Sequence, residues 1–218
     1  KKINLMMNRF NFADLIEKRM ISVNYDTINF MPSLTPIDSK EVFNTFTGFK
    51  YAHDAKYTSI DKIEPFLGHI HNVMCDGDIE QYNRLLDWLA HIIQKGNEKS
   101  YAYVVKGKKG TGKSILYNFI RECIGTEYCL YVNSMAEFTQ SHNAYMQNKL
   151  FVNADECTNM PDHKTMDKMK SLISEEYMTI NPKGVAQYTI NNYARYYLTS
   201  NHDTCVRVKE DERRYCIL

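Results

Sequence analysis

Apolar positions along the chain change period once. Ile63, Phe66, Leu67, Ile70, Val73 and Met74 recur three and four residues apart, which stacks them on one helical face. Gly77 interrupts the pattern and Asp78 can cap a new helix. Tyr82, Leu85, Leu86, Leu89, Ile92 and Ile93 then repeat the spacing until Gly96. This predicts two amphipathic helices joined by a tight turn. From Tyr101 onward, short apolar runs alternate with helical patterns. Strands are predicted over Tyr101 to Val105, Tyr128 to Val132, Lys149 to Ala154, Arg195 to Thr199 and Arg214 to Leu218. Helices are predicted from Lys113 to Cys123 and Lys164 to Ser174. Met178 to Ile180 and Gln187 to Ile190 flank Asn181-Pro182-Lys183-Gly184, which reads as a hairpin. The expected fold class is α/β, with a five-stranded, mainly parallel sheet preceded by a small helical element.

Residues 1 to 60 are irregular in pattern, interrupted by Pro32 and Pro36, with one candidate helix at Phe12 to Met20. The expected division is therefore 1–60 as an extension, 61–98 as a helical element and 99–218 as the core. With 218 residues and 44% hydrophobic content, the chain suffices for one well-packed core plus a small flanking element. The net charge of +1 sets up no global basic field, so any contact with nucleic acid has to come from a local patch. None of the six cysteines, Cys75, Cys123, Cys129, Cys157, Cys205 and Cys216, forms a C-x-x-C pair. They read as free thiols in a reducing compartment. No apolar run approaches the length of a membrane span and no signal peptide is visible, so an intracellular protein without membrane contact is expected. A start at Lys1 and a stop in a strand-like Cys216-Ile217-Leu218 suggest an excised, C-terminally truncated piece.

Candidate chemistry centres on Gly107-Lys108-Lys109-Gly110-Thr111-Gly112-Lys113-Ser114, which matches G-x-x-x-x-G-K-[ST]. Backbone N–H groups converge on a phosphate chain only in a loop poor in Cβ atoms. Such a loop opening a helix adds free N–H groups and partial positive charge. Lys113 would reach the β and γ phosphates and Ser114 would ligate magnesium. ATP and Mg²⁺ are the expected ligands. Chance supplies such a match in about one chain of this length in a hundred, and here a strand precedes it and a helix follows. The bland alternative is a flexible Gly/Lys surface loop.

Leu150-Phe151-Val152-Asn153-Ala154 is a buried-strand pattern ending in Asp155-Glu156. Carboxylates at a strand's C-terminal end face the ligand crevice of an open α/β sheet. Asp155 would hold magnesium and Glu156 would orient and deprotonate the attacking water. Otherwise they are two solvated acids opening a loop. Tyr196-Tyr197-Leu198-Thr199-Ser200-Asn201 ends in small polar residues, where Asn201 would bond the γ-phosphate or the water, or simply cap the strand. Asp211-Glu212-Arg213-Arg214 precedes the last strand. One of these arginines, Arg214 in preference to Arg213, would stabilise charge on a neighbouring subunit's ATP. The alternative is a pair with Asp211 or Glu212 in its own chain.

In order and spacing, Gly107 to Ser114, Asp155-Glu156, Thr199-Ser200-Asn201 and Arg213-Arg214 resemble the motifs of superfamily 3 helicases, especially the primase-helicase branch of viruses, phages and plasmids. The resemblance covers roughly Ile60 to Leu218. It implies an AAA+-like ATPase core working as a homo-oligomeric ring, usually a hexamer, that moves along single-stranded DNA during replication of a viral, phage or plasmid genome. It also implies an upstream primase or polymerase domain and a lysine-bearing helix and hairpin that grip DNA. Lys170 and Lys183 match that placement. Lys183 is otherwise an ordinary turn lysine. The helix pair at residues 60 to 95 takes the place of a collar, or simply packs on the core. The competing readings are an AAA+ loader or remodelling ATPase and a P-loop kinase. A kinase needs neither Glu156 nor a neighbour's arginine. His69-x-His71 with Cys75 lacks a second ligand pair and is not expected to bind metal.

Overall fold

The computed structural model describes residues 25–34, 37, 41–50, 59–155, 162–201 and 212–218. The candidate helix at Phe12 to Met20, together with Glu156, Cys157, Cys205 and Asp211, lies outside the described residues. The chain divides into two compact units, one of residues 1–31 and 37–47 and one of 32–36 and 48–218. The helical element expected at 61–98 therefore belongs to the same unit as the core.

In the smaller unit, strands β1 (Thr27–Asn29) and β2 (Val42–Asn44) pair in parallel, with Thr27 opposite Val42. The Asn44 amide accepts from the Met31 and Phe46 N–H groups at 2.9 and 3.0 Å and donates to the Met31 carbonyl at 3.0 Å. Neither strand was expected. Three residues are too few to display a period of two, and side-chain amide bonds rather than apolar alternation hold them.

The larger unit opens with α1 (Glu64–His69), carrying Pro65 in its first turn, and continues into one π-helical turn, Ile70–Met74. The Cys75 N–H reaches the Ile70 carbonyl at 2.9 Å, five residues back. That extra residue rotates the face predicted from 3.6-residue periodicity. Ile70 stays buried, but Val73, expected on the buried side, is 50% exposed. Gly77 (φ +77°) turns the chain, and the Asp78 carboxylate accepts from the Glu80 and Gln81 N–H groups at 2.9 and 3.1 Å. This caps α2 (Ile79–Gln94) at the predicted residue.

The sheet comprises β3 (Ala102–Lys106), β4 (Cys129–Val132), β5 (Phe151–Ala154), β8 (Arg195–Ser200) and β9 (Tyr215–Ile217). Its order is β4-β5-β8-β3-β9, and every pairing is parallel. Helix α3 (Lys113–Ile124) connects β3 to β4, and α4 (His163–Ser174) follows β5. The hairpin β6 (Tyr177–Ile180) and β7 (Tyr188–Asn191) pairs antiparallel outside the main sheet.

Alternation along the strands makes two cores. Val104, Val152, Ala154, Tyr196 and Leu198 face α4, packing on Met166, Met169, Leu172 and Ile173. Tyr103, Phe151 and Tyr197 occupy the other face. There Trp88 of α2 meets Tyr103 and Phe151 edge-on at 5.1 and 5.9 Å, and Tyr117 of α3 stacks on Phe151 at 5.8 Å. Each such side chain contributes about 1.5–3 kcal/mol when buried.

Two cations are drawn into this fold. Arg195, fully buried at the start of β8, donates to the Gly96 and Tyr193 carbonyls at 3.0 and 2.9 Å, to the Lys95 carbonyl and to the His91 ring nitrogen Nδ1 at 3.0 Å. It thereby collects carbonyls at the C-terminal end of α2, where a positive charge suits the helix dipole. Burial lowers its pKa to about 10. Lys99 likewise donates to the Leu172 carbonyl of α4 at 2.9 Å, and burial lowers its pKa to about 7. Replacing Arg195 with Met should strand those carbonyls and destabilise the fold by about 2–4 kcal/mol. The check is the midpoint of urea unfolding. An unchanged midpoint would show that the guanidinium does not tie α2 to the sheet.

Candidate functional site

The strand order places the site. The chain leaves β3 through α3 toward β4 at one edge. From β8, the neighbour of β3, it proceeds to β9 on the opposite side. Two adjacent parallel strands whose connections diverge open a crevice beyond their C-terminal ends. The segments leaving that point are Gly107–Gly112 after β3 and Asn201 after β8, which the sequence places 94 residues apart.

The loop is anchored at its start, where the Gly107 N–H donates to the Ser200 carbonyl at 3.1 Å. Within it, the Thr111 hydroxyl donates to the Lys108 carbonyl at 2.9 Å. Gly110 (φ +85°) and Gly112 (φ +78°) adopt the left-handed region that side-chain-bearing residues avoid. Gly112 is further constrained by space, because a Cβ there would lie 2.7 Å from Cε1 and Nε2 of His69. Helix α1 touches α3 and the loop, with Phe66 stacked on Phe119 at 3.8 Å and His69 against Gly112.

Lys113, the first residue of α3, turns its ammonium back over the loop. It donates to the Gly107 and Lys108 carbonyls at 2.7 and 3.0 Å and to the Asn201 side-chain oxygen at 2.8 Å. Partial burial lowers its pKa, and the Asp155 carboxylate acts in the opposite direction. The Tyr197 hydroxyl donates to the Lys113 carbonyl at 2.9 Å, tying the first turn of α3 to β8. Ser114 is exposed in that turn and Lys108 and Lys109 are exposed in the loop.

Asp155 follows β5, its N–H donating to the Val132 carbonyl at 2.9 Å. One carboxylate oxygen accepts from the Thr199 hydroxyl at 2.5 Å and the other from the Tyr131 hydroxyl. The Asp155 carboxylate and the Ser114 hydroxyl are hard oxygen donors of the kind magnesium takes. Backbone N–H groups with a cationic side chain suit a phosphate chain. The residues present therefore fit both Mg²⁺ and a nucleoside triphosphate.

The structure thus brings together Gly107 to Ser114, Asp155 and Asn201. Glu156 lies outside the described residues. Tyr131, Tyr197, Thr199 and His69 join the site without having been assigned roles from sequence. Tyr131 and Thr199 meet Asp155 across strand registers that local patterns do not reveal. His71 packs against Tyr82 at 5.1 Å, away from His69, and Cys75 is buried with its pKa raised to about 11.

Arg214 stands at the other end of the sheet. Its carbonyl accepts from the Ala102 N–H, and Tyr215 is opposite Ala102, so the pair lies at the start of β3. Five residues of strand, about 16 Å, separate it from Gly107. Arg214 donates to Glu212 at 2.8 Å and to the Ser174 hydroxyl at 2.8 Å, whereas Arg213 is exposed and has no hydrogen bond among the described residues. Lys183 is exposed at the hairpin turn, and Lys170 pairs with Asp167 at 3.5 Å.

The chain and its fold have known counterparts. The chain is 26% identical over 180 residues to a DNA primase-polymerase of Nitratiruptor phage NrS-1, covering 78% of this chain and 25% of that protein. It thus spans about a quarter of that relative's length. Structures of the C-terminal region of the NrS-1 protein share the fold. One apo structure superposes with a TM-score of 0.75 at 22% identity, covering 87% of this chain and 46% of the other. Another gives 0.74 at 22% identity, covering 94% and 51%. Residues 105–214, which run from the end of β3 to the arginine pair, match the family of unknown function DUF5906, and the chain belongs to that family.

Proposed function

We propose that this chain is the ATPase core of a superfamily 3-like DNA helicase, a P-loop NTPase of the AAA+ type that serves phage or viral genome replication inside the host cell. The observation that carries the reading is the convergence of three remote segments on one crevice. Lys113 of the phosphate-binding loop touches Asn201 at 2.8 Å, and Asp155 acts on the same lysine. Similarity to a phage primase-polymerase supports the replication setting, and with it an upstream primase or polymerase domain in the whole protein.

On this reading the loop N–H groups and Lys113 hold the β and γ phosphates of ATP. As the phosphates enter, the Lys113 ammonium exchanges the Gly107 and Lys108 carbonyls for phosphate oxygens. Magnesium, when bound, neutralises charge on those oxygens. Ser114 and Asp155 would hold it, and Tyr131 and Thr199 fix the carboxylate's orientation. Asn201 senses the γ-phosphate from the end of β8, and Glu156 activates the attacking water. Arg213 and Arg214 are too far along the sheet to serve their own chain's site. Either would act on the ATP of a neighbouring copy, which requires a ring. Of the two, Arg213 has no competing hydrogen bond among the described residues, whereas Arg214 is bonded to Glu212 and Ser174.

The direct test is the ATPase rate with and without single-stranded DNA, wild type beside Lys113→Ala. Several-fold stimulation by DNA is expected, with a loss of about 100-fold or more in the variant. Turnover indifferent to DNA would instead favour a loader or remodelling ATPase. A second expectation concerns the magnesium site. Thr199→Val should raise the Mg²⁺ concentration for half-maximal turnover about tenfold, as loss of a ligand-orienting hydrogen bond does elsewhere. An unchanged Mg²⁺ requirement would remove Thr199 from that role.

A further inference from the structure

A cleft of about 440 Å³ opens between the first two turns of α4, the β6–β7 hairpin and the segment after β4. Lys164 and Lys168, one helical turn apart, form its α4 wall. Gln140, Ser141, Asn181 and Gln187 supply polar groups from the other sides, and no acidic residue is among its described lining residues. In a chain of 27 basic and 26 acidic residues, such a concentration of one sign is a local field, not a reflection of composition.

Three further features mark the cleft as built. Lys164 is the second residue of α4, where a cation opposes the helix dipole by about 0.3–1 kcal/mol and helix stability favours an acid. Neither Lys164 nor Lys168 has an ion-pair partner among the described residues: Asp162, the carboxylate nearest Lys164 in sequence, is engaged in capping the Thr165 N–H at 2.8 Å, and Asp167, adjacent to Lys168, pairs with Lys170 at 3.5 Å. The hairpin wall is also fixed in place. Asn143, 7% exposed, donates to the Thr179 carbonyl at 2.9 Å and accepts from the Asn181 N–H at 2.7 Å, while the Asn181 amide donates to the Ser141 carbonyl at 2.6 Å. Lys170 does not line the cleft. It lies on a different side of α4, paired with Asp167.

The geometry points to this cleft as a subsite for one nucleotide of a single-stranded nucleic acid. Lys164 and Lys168 take the phosphodiester groups and the amides of Gln140, Asn181 and Gln187 bond the sugar or base edge. The inference rests on the helicase reading and moves strand contact from Lys170 to Lys164 and Lys168. The volume falls within the roughly 300–1,000 Å³ of small-ligand sites. The one aromatic among its described lining residues, Phe138, is 1% exposed, so phosphate and polar contacts dominate over stacking.

The test is fluorescence anisotropy of a labelled oligothymidylate of about 20 nucleotides across a salt series. Wild type, Lys164→Ala/Lys168→Ala and Lys170→Ala are compared, after their melting curves have been shown to match. Losing two phosphate contacts should reduce the slope of log affinity against log salt by about 1.4 and weaken binding about tenfold at moderate salt, while Lys170→Ala keeps the wild-type slope. A double variant with the wild-type slope, alongside DNA-stimulated ATPase in the wild type, would overturn the cleft and leave the motor reading standing. A wild type that binds no strand would overturn both. Displacement of the strand by inorganic phosphate at matched ionic strength would make this a simple anion site and also overturn the proposal.

Discussion

The insertion of β8 between β3 and β5 is the constraint on which the rest of the site depends. It sets the end of β8 beside the end of β3 and the end of β5 one strand further on. Asn201 therefore meets the Lys113 ammonium, and Thr199 meets the Asp155 carboxylate, without any long side chain having to bridge a gap. A parallel sheet without this insertion would carry the same residues, but Asp155 would adjoin the loop strand and lose its Thr199 donor. The same order separates the arginine pair from the Gly107–Gly112 loop, because β9 begins at the far end of β3.

The sheet is held in that order by more than apolar contact. Arg195 is buried and Lys99 half-buried, neither with a carboxylate within ion-pairing distance among the described residues, and both draw on carbonyls at helix ends. Arg195 begins the strand that carries Thr199 and leads to Asn201, so the bonds that tie α2 to the sheet also fix the base of that strand. The orientation of His91 belongs to the same arrangement. Burial and the Arg195 charge lower its pKa, leaving its Nδ1 free to accept from the guanidinium. His69 rests on Gly112, so the small helical element is packed against the glycine-rich loop after β3 and not merely against the sheet.

Much of this was legible in the chain. The glycine-rich turn between β3 and α3, the Asp78 cap, the hairpin and all five strands of the sheet were predicted, with boundaries off by a residue or two, because each announces itself within a dozen residues. Strand order is another matter. It pairs Val104 with Leu198 across more than ninety residues, and no local pattern encodes that register. The hydroxyls of Tyr131 and Thr199 were hidden for the same reason. Val73 was misplaced because a single π turn shifts the helical phase and leaves no mark on the spacing of apolar residues. The β1–β2 pair escaped notice because amide bonds from Asn44, not alternation, hold it. The arginine pair shows the reverse. Its residues stood out in the sequence, but only the structure places them at the end of the sheet remote from Gly107 and ties Arg214 to Glu212.

The central claim is that the crevice beyond β3 and β8 binds a nucleoside triphosphate together with magnesium. Isothermal titration of a slowly hydrolysed ATP analogue, with and without Mg²⁺, in wild type and Asp155→Asn, tests it most directly. The account predicts that Mg²⁺ tightens binding at least about tenfold in wild type and has little effect in the variant. An absence of binding, or an affinity indifferent to Mg²⁺ in the wild type, would contradict it.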